Sequence, residues 1–383
     1  MSVTAPQGFT ASGVAAGLKS GNQLDVALVH NQGPRRAAAG VFTSNRVKAA
    51  PVLWSQQVVS GGQVAAVLLN SGGANACTGP AGFQDTHSSA ERAAEALGES
   101  AAEVVVASTG LIGTRLPMDR LLPGVDQAAA ALSPYGGDRA ALAIKTTDSV
   151  HKTAVHQGNG YVVGGMAKGA GMLAPGLATM LVVLTTDAVV EPADLDTALR
   201  GATRTTFDRI DSDGCMSTND MVLLMSSGAS QVVPDPAEFA EAVRVVSEDL
   251  ARQLIADAEG ATKDIRVEVV GAASERDAVT VGRVIARNNL LKCALHGEDP
   301  NWGRVLSAVG TTDAVFEPDQ LNVAINDVWV CRAGAIGEDR DKVDMRYREV
   351  RVTADLSAGS HSAVIWTNDL TADYVHENSA YSS

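Results

Sequence analysis

The sequence predicts an α/β (α+β) fold of layered architecture. Three observations carry the prediction. Strand-like and helix-like segments follow one another in mixed order rather than as a regular βαβ array. Hydrophobic residues make up 45% of the 383 positions, enough for one large core or two ordinary ones. Short apolar runs are bounded by turn residues throughout the first 80 positions, which read as a sheet with tight connections.

In chain order, Leu24–Val29 and Val64–Leu69 are strands. Thr86 is placed as the N-cap of a helix through Leu97, and a second helix spans Arg120–Leu132, with Pro123 blurring its start. Between them the buried-type strand Glu103–Ala107 runs into Ser108-Thr109-Gly110-Leu111-Ile112-Gly113. Gly158-Asn159-Gly160 between two strands over 154–165 signals a hairpin, because these residues tolerate positive φ. Glycine and proline keep 168–176 out of regular structure, and Thr179–Thr185 then begins a strand. Helices follow at Pro192–Thr205, Pro236–Ala258 and Arg276–Asn289. Strands follow at Met221–Met225, Ile265–Val270, Val350–Ala354 and Ala363–Thr367.

Composition excludes several functions. A net charge of −14 argues against nucleic acid or an anionic membrane as partner, since phosphate binding needs a basic footprint, and favours a small-molecule substrate. No run approaches the roughly 20 apolar residues of a membrane span, and the N-terminus lacks a signal-peptide pattern, so a cytoplasmic location is expected. Cys77, Cys215, Cys293 and Cys331 form no metal-type spacing and are expected to be reduced and mostly buried. No metal or cofactor is expected.

The chemistry must come from elsewhere than the familiar motifs. Gly169-Ala170-Gly171-Met172-Leu173-Ala174 matches a dinucleotide fingerprint, but that motif needs a helix to begin at the loop, and Pro175-Gly176 intervene. There is no G-x-S-x-G elbow, no P-loop and no paired-histidine motif. His361 reads as a surface strand residue. A terminal threonine would carry its own base, because a free α-amine has a pKa of about 7.7 to 8.0 and can accept the hydroxyl proton. Ala178-Thr179, after a Pro-Gly loop, suits such a break, although a threonine that opens a strand is also commonplace.

The run Lys168-Gly169-Ala170-Gly171-Met172-Leu173-Ala174-Pro175-Gly176-Leu177-Ala178-Thr179-Met180-Leu181 resembles the signature of the ornithine acetyltransferase family, also called ArgJ. Further blocks resemble that family in the same order: Asn70–Gly79, Ser108–Gly113, Thr146-Thr147-Asp148, Ser217-Thr218-Asn219-Asp220, Glu259–Lys263 and Gly297–Arg304. The likeness covers essentially the whole chain. Gly73 and Gly176 stand where Asn is frequent, and Ser383 ends a chain that in the family often ends in Thr.

The resemblance implies sheets between helical layers, similar in outline to the N-terminal-nucleophile amidohydrolases and to DmpA-like proteins. It implies self-cleavage between Ala178 and Thr179 into an α chain, 1–178, and a β chain, 179–383, that assemble as an α2β2 heterotetramer. Thr179 would then be the nucleophile that carries acetyl from N2-acetylornithine to glutamate by a ping-pong route in arginine biosynthesis, with acetyl-CoA as a further donor. Thr109 and Gly110 would form the oxyanion hole, and Thr146, Lys168, Thr179, Glu259, Asn378 and Ser383 would bind substrate. Two other classes stay open: a self-cleaving aminopeptidase or amidase that passes its acyl group to water, and an unprocessed binding protein.

Overall fold

The computed structural model describes residues 2–174 and 180–380. They form two compact units, one from residues 2–208 and 215–254, the other from 209–214 and 255–380.

The first unit contains two sheets. In the four-stranded sheet, β1 (Phe9–Val14), β2 (Val26–Asn31), β4 (Ala66–Asn70) and β5 (Val104–Ser108) lie in that order. The five-stranded sheet runs β3 (Ala37–Phe42), β9 (Met221–Ser226), β8 (Leu181–Thr186), β7 (Val162–Lys168), β6 (Lys152–Gln157). Only β4–β5 and β8–β9 are parallel pairs in this unit. Side-chain alternation explains the layering. Val67, Leu69 and Val105 meet Met166, Val183, Leu223 and Met225 between the sheets. Leu68, Val104 and Val106 point the other way, onto α2 (Gly79–Leu97) and α3 (Met118–Ala130) through Ala90, Ala93, Leu121 and Val125. On the far side of the five-stranded sheet, a Cβ at Gly165 would meet Leu250 and Val246 of α6 (Pro236–Ala256) at 2.9 and 3.2 Å, so glycine lets the helix lie close. Strands covered on both faces are apolar throughout, which is why β5, β8 and β9 are legible as strands.

In the second unit one six-stranded sheet, in the order β13 (Ala335–Ile336), β12 (Val328–Arg332), β11 (Asn322–Ile325), β14 (Glu349–Asp355), β10 (Asp264–Ala272) and β15 (His361–Asn368), carries helices on one face. Along β10 (Asp264–Ala272), Ile265, Val267 and Val269 face the core while Arg266 and Glu268 are only half-buried. That core is closed by Val281 and Ile285 of α7 (Glu275–Ala286) and by Val305 and Val309 of α9 (Trp302–Val309).

Four expectations need correction. Ala50–Ser60 is a helix, α1, where a strand-rich region is expected. α2 starts at Gly79-Pro80, not at Thr86, whose hydroxyl instead donates to Gly82 O from inside the helix. The helix predicted over 276–289 ends at Ala286, and a separate α8 (Asn289–His296) starts with the Asn288 side chain as its cap. Three of the four cysteines are exposed and only Cys331 is buried; all four are free.

Lys292, on α8, is buried, and its ammonium donates to Ser212 O and, at 3.4 Å, to Thr367 Oγ1. Burial brings it down to about 8 against the opposing pull of Asp213, Asp211 and Asp369. From there up to the usual lysine value of about 10.4 the unfolded chain holds a proton that the folded chain has released, so unfolding free energy rises with pH. Denaturant titrations from pH 7.5 to 10 should show this unit gaining up to about 3 kcal/mol relative to a Lys292→Met variant, which lacks the gain.

Candidate active site

The end of β5 builds a constrained turn. Thr109 is buried; its amide donates to Asn70 O at 3.0 Å and its carbonyl accepts from Gly73 N at 3.0 Å. Gly110 follows with φ of 129°, and a Cβ there would sit 2.8 Å from Gly73 N, so both conformation and space demand glycine. Among the described residues the Gly110 amide donates to no backbone acceptor. Asn219 braces the turn, its Nδ2 donating to Ser108 O at 2.8 Å and to Ala74 O at 2.6 Å.

Lys168, the last residue of β7, reaches this turn. It is 1% exposed, and its Nζ donates to Thr109 Oγ1 at 3.2 Å. Because the ammonium occupies a lone pair of that oxygen, the Thr109 hydroxyl hydrogen is free to donate elsewhere. The donor that Thr109 can offer an oxyanion is therefore its hydroxyl, since its amide is already committed to Asn70.

The lysine is held in a dry network. Asp148 and Lys152 form an ion pair at 2.6 Å with both side chains fully buried. Asp148 Oδ1 also accepts from Gly169 N at 2.7 Å, and Oδ2 from Thr146 N at 3.0 Å, which fixes the Thr146 backbone. Burial alone would raise the Asp148 carboxyl, but the Lys168 and Lys152 charges and these hydrogen bonds hold it well below the usual carboxylate range. Lys19 lies at the edge of the network and donates to Lys145 O at 2.9 Å. Its ammonium is lowered by burial, against Asp25 and Asp148, and further by Lys145 and Lys168.

Asp220 behaves oppositely. It is fully buried, just before β9, and Oδ1 accepts the Met180 amide at 3.0 Å. Burial pushes its carboxyl well above the usual range, against the Met180 amide, Ser217, Lys168 and Thr43. The two carboxyls of one unit are thus shifted in opposite directions because their surroundings differ.

In the second unit Glu259 is 8% exposed and its Oε2 accepts from Asn378 Nδ2 at 2.9 Å. Asn378 lies on α10 (Ala372–Ala380). Gly260, with φ of 64°, abuts Tyr374 N at 2.3 Å from where a Cβ would stand, which presses the Glu259 loop against that helix.

Of the residues singled out in the sequence, Thr109, Gly110, Thr146 and Lys168 gather in the first unit, and Glu259 and Asn378 in the second. Ala178, Thr179 and Ser383 lie outside the described residues. Asp148, Lys152, Lys19 and Asp220 are additions; two of them sit in the Thr-Thr-Asp and Ser-Thr-Asn-Asp blocks, but nothing in those blocks shows which charge they face. No helix begins in 169–174, so the dinucleotide fingerprint has no structural counterpart there. Among the described residues there is no cluster fit for a metal ion and no helix long and apolar enough to cross a membrane.

A buried lysine beside a hydroxyl donor and a glycine turn, on a layered α/β scaffold, can stabilise an oxyanion, as an acyltransferase requires. The ArgJ family model matches residues 10–383. Arginine biosynthesis bifunctional protein ArgJ 1 of Streptomyces clavuligerus is 75% identical over 383 residues, 100% of each chain. The ArgJ proteins of Streptomyces avermitilis and Thermobifida fusca are 75% and 68% identical, again over 100% of each chain. One chain of the Mycobacterium tuberculosis ornithine acetyltransferase, solved with ornithine, is 59% identical; it matches 47% of this chain and 96% of its own, with a TM-score of 0.45. This chain belongs to the ArgJ family.

The buried pair gives a stability prediction. Asp148→Asn leaves Lys152 buried beside a neutral partner and should cost about 3 to 5 kcal/mol in denaturant unfolding. The sign with pH follows from the lowered carboxyl: the contribution is present above the unfolded value of about 3.9 and is lost as pH falls towards the folded value, so the variant's acid limb should be flatter than wild type.

Proposed function

We propose that this chain cleaves itself between Ala178 and Thr179 and then transfers acetyl from N2-acetyl-L-ornithine to L-glutamate through an acetyl-threonyl enzyme. The Lys168–Thr109 hydrogen bond beside the open Gly110 amide is the observation that best supports it, because it prepares two donors for one developing oxyanion.

In the first reaction the Thr179 hydroxyl adds to the Ala178 carbonyl and the C–N bond breaks, leaving an ester and a free Thr179 amine that has taken the hydroxyl proton. Water hydrolyses the ester. The products are chains 1–178 and 179–383. In the second reaction the same hydroxyl attacks the acetyl carbonyl, its amine accepts the proton, and ornithine departs. Glutamate then takes the acetyl group through its amine, so the kinetics are ping-pong. The positive charge of Lys168 keeps the nearby α-amine unprotonated and able to act as base.

Within this reading Thr146, Lys168, Glu259, Asn378 and Ser383 bind substrate, Lys168 suiting a carboxylate and Glu259 a cationic group. Acetyl-CoA is a second acetyl source, a reading favoured by the "bifunctional" name of the relatives. The assembly is an α2β2 heterotetramer of the cytoplasm that needs no cofactor.

Intact mass spectrometry of purified protein, before and after acetylornithine, tests the reading. It should show two fragments and one acetyl adduct on the C-terminal one. A single uncut 39.5 kDa chain with full transferase activity would sink it. Ornithine release at the same rate with and without glutamate would assign the site to a hydrolase. Gly110→Ala, which drives a Cβ against Gly73 N, should lower kcat about 10²- to 10³-fold, the loss expected for one oxyanion donor.

A further inference from the structure

Met180 is the first described residue after the proposed cut, and both of its backbone polar groups are taken by two consecutive residues. Its carbonyl accepts from Met221 N at 3.2 Å, continuing the parallel β8–β9 ladder, in which Leu181 lies opposite Met221. Its amide points to where that ladder has ended, and there the Asp220 side chain takes the place of a strand, with Oδ1 accepting at 3.0 Å. Asp220 is itself anchored, since its carbonyl accepts from Thr43 N at 3.0 Å beyond the end of β3. Met180 and Asp220 are both fully buried.

This arrangement does more than satisfy an amide. A peptide unit is planar, so fixing the Met180 N–H fixes the plane it shares with the residue before it. A serine, an asparagine or a water could satisfy the same N–H, whereas a buried acid is an expensive choice. The second carboxyl oxygen, Oδ2, is buried and completes no close hydrogen bond among the described residues, although the Ser217 and Thr43 side chains face the carboxyl. An oxygen of that kind, beside the residue that follows Thr179, is a polar group placed for work.

We propose that Asp220 is the positioning residue for Thr179: its Oδ1 clamps the Met180 amide, the first described backbone group after the proposed cut. The inference rests on the proposed cut at Thr179. Burial disfavours charge on Asp220, which acts as a hydrogen-bonding group, not as a base. It takes no part in bond making; it sets the approach of the hydroxyl to the Ala178 carbonyl and later to the acetyl carbonyl.

The test is a pair of variants. Asp220→Asn keeps an acceptor in place of Oδ1 and a polar group in place of Oδ2, and it should self-cleave within about threefold of wild type. Asp220→Val keeps volume but removes both, and it should slow self-cleavage and acetyl transfer by on the order of 100-fold, the cost typical of a nucleophile misplaced by about 1 Å. In fragments that do form, the loss should fall on kcat while KM is held. Circular dichroism and the melting temperature report whether each variant is folded. If the valine variant does not fold, the asparagine variant decides alone: a folded Asp220→Asn protein that fails to cleave overturns the proposal, because the ionisable proton would then be required. Cleavage of Asp220→Val at the wild-type rate also overturns it. Wild-type protein that never cleaves refutes the proposed function instead, so the two failures are distinguishable.

Discussion

The arrangement of this site depends on one buried carboxylate. Asp148 sits without solvent between two lysines that strand geometry brings inside, Lys152 at the start of β6 and Lys168 at the end of β7. Two buried ammonium groups without an anion would repel each other, and each would lose its proton or leave the core. Asp148 holds Lys152 directly and meets Lys168 through its field, which offsets the cost of burying both side chains. The same carboxylate accepts from Thr146 N and Gly169 N, so the segments on both sides of the network are fixed by one residue.

Asp220 shows the other outcome of burial. Among the described residues it has no ion pair of its own, and burial pushes its carboxyl up, whereas the two cations near Asp148 pull that carboxyl down. The contrast comes from the sheet. β7 and β8 are antiparallel partners with Lys168 opposite Leu181, so the segment between them leaves and re-enters the sheet at neighbouring positions. Lys168 marks the departure, and Asp220, through its bond to the Met180 amide, marks the return.

Much of the fold is legible in the sequence because its strands are buried on both faces. Val104–Ser108, Leu181–Thr186 and Met221–Ser226 read as unbroken apolar runs, and Gly158-Asn159-Gly160 reads as the turn it is. α1 is not legible: Val52, Leu53, Val58 and Val59 look like strand residues, and tertiary packing overrides that propensity. Thr86 looks like a cap because its residue type suits one, yet Pro80 starts the helix earlier. At the site, Lys168, Thr109 and Thr146 are found through their motif blocks. The Lys152–Asp148 pair is not, because four residues of irregular chain and an edge strand give no periodicity that places the two side chains together. The exposure of Cys77, Cys215 and Cys293 is missed for a similar reason: each lies in a turn or on a short helix whose outward face is set by contacts distant in sequence.

The two compact units do not coincide with the two chains that the proposed cut would create, and the difference has a physical consequence. A break at Ala178–Thr179 falls inside the first unit, in the connection between β7 and β8. The N-terminal product would then contribute β3, β6 and β7 to the five-stranded sheet, and the C-terminal product β8 and β9. Two ladders would join the products, β7 to β8 and β3 to β9, each six residue pairs long and buried on both faces. Pulling the chains apart would expose a row of unpaired backbone groups on every one of those strands and open the core between Met166, Val183 and Leu223. The proposed cleavage would therefore free an amine without freeing a chain.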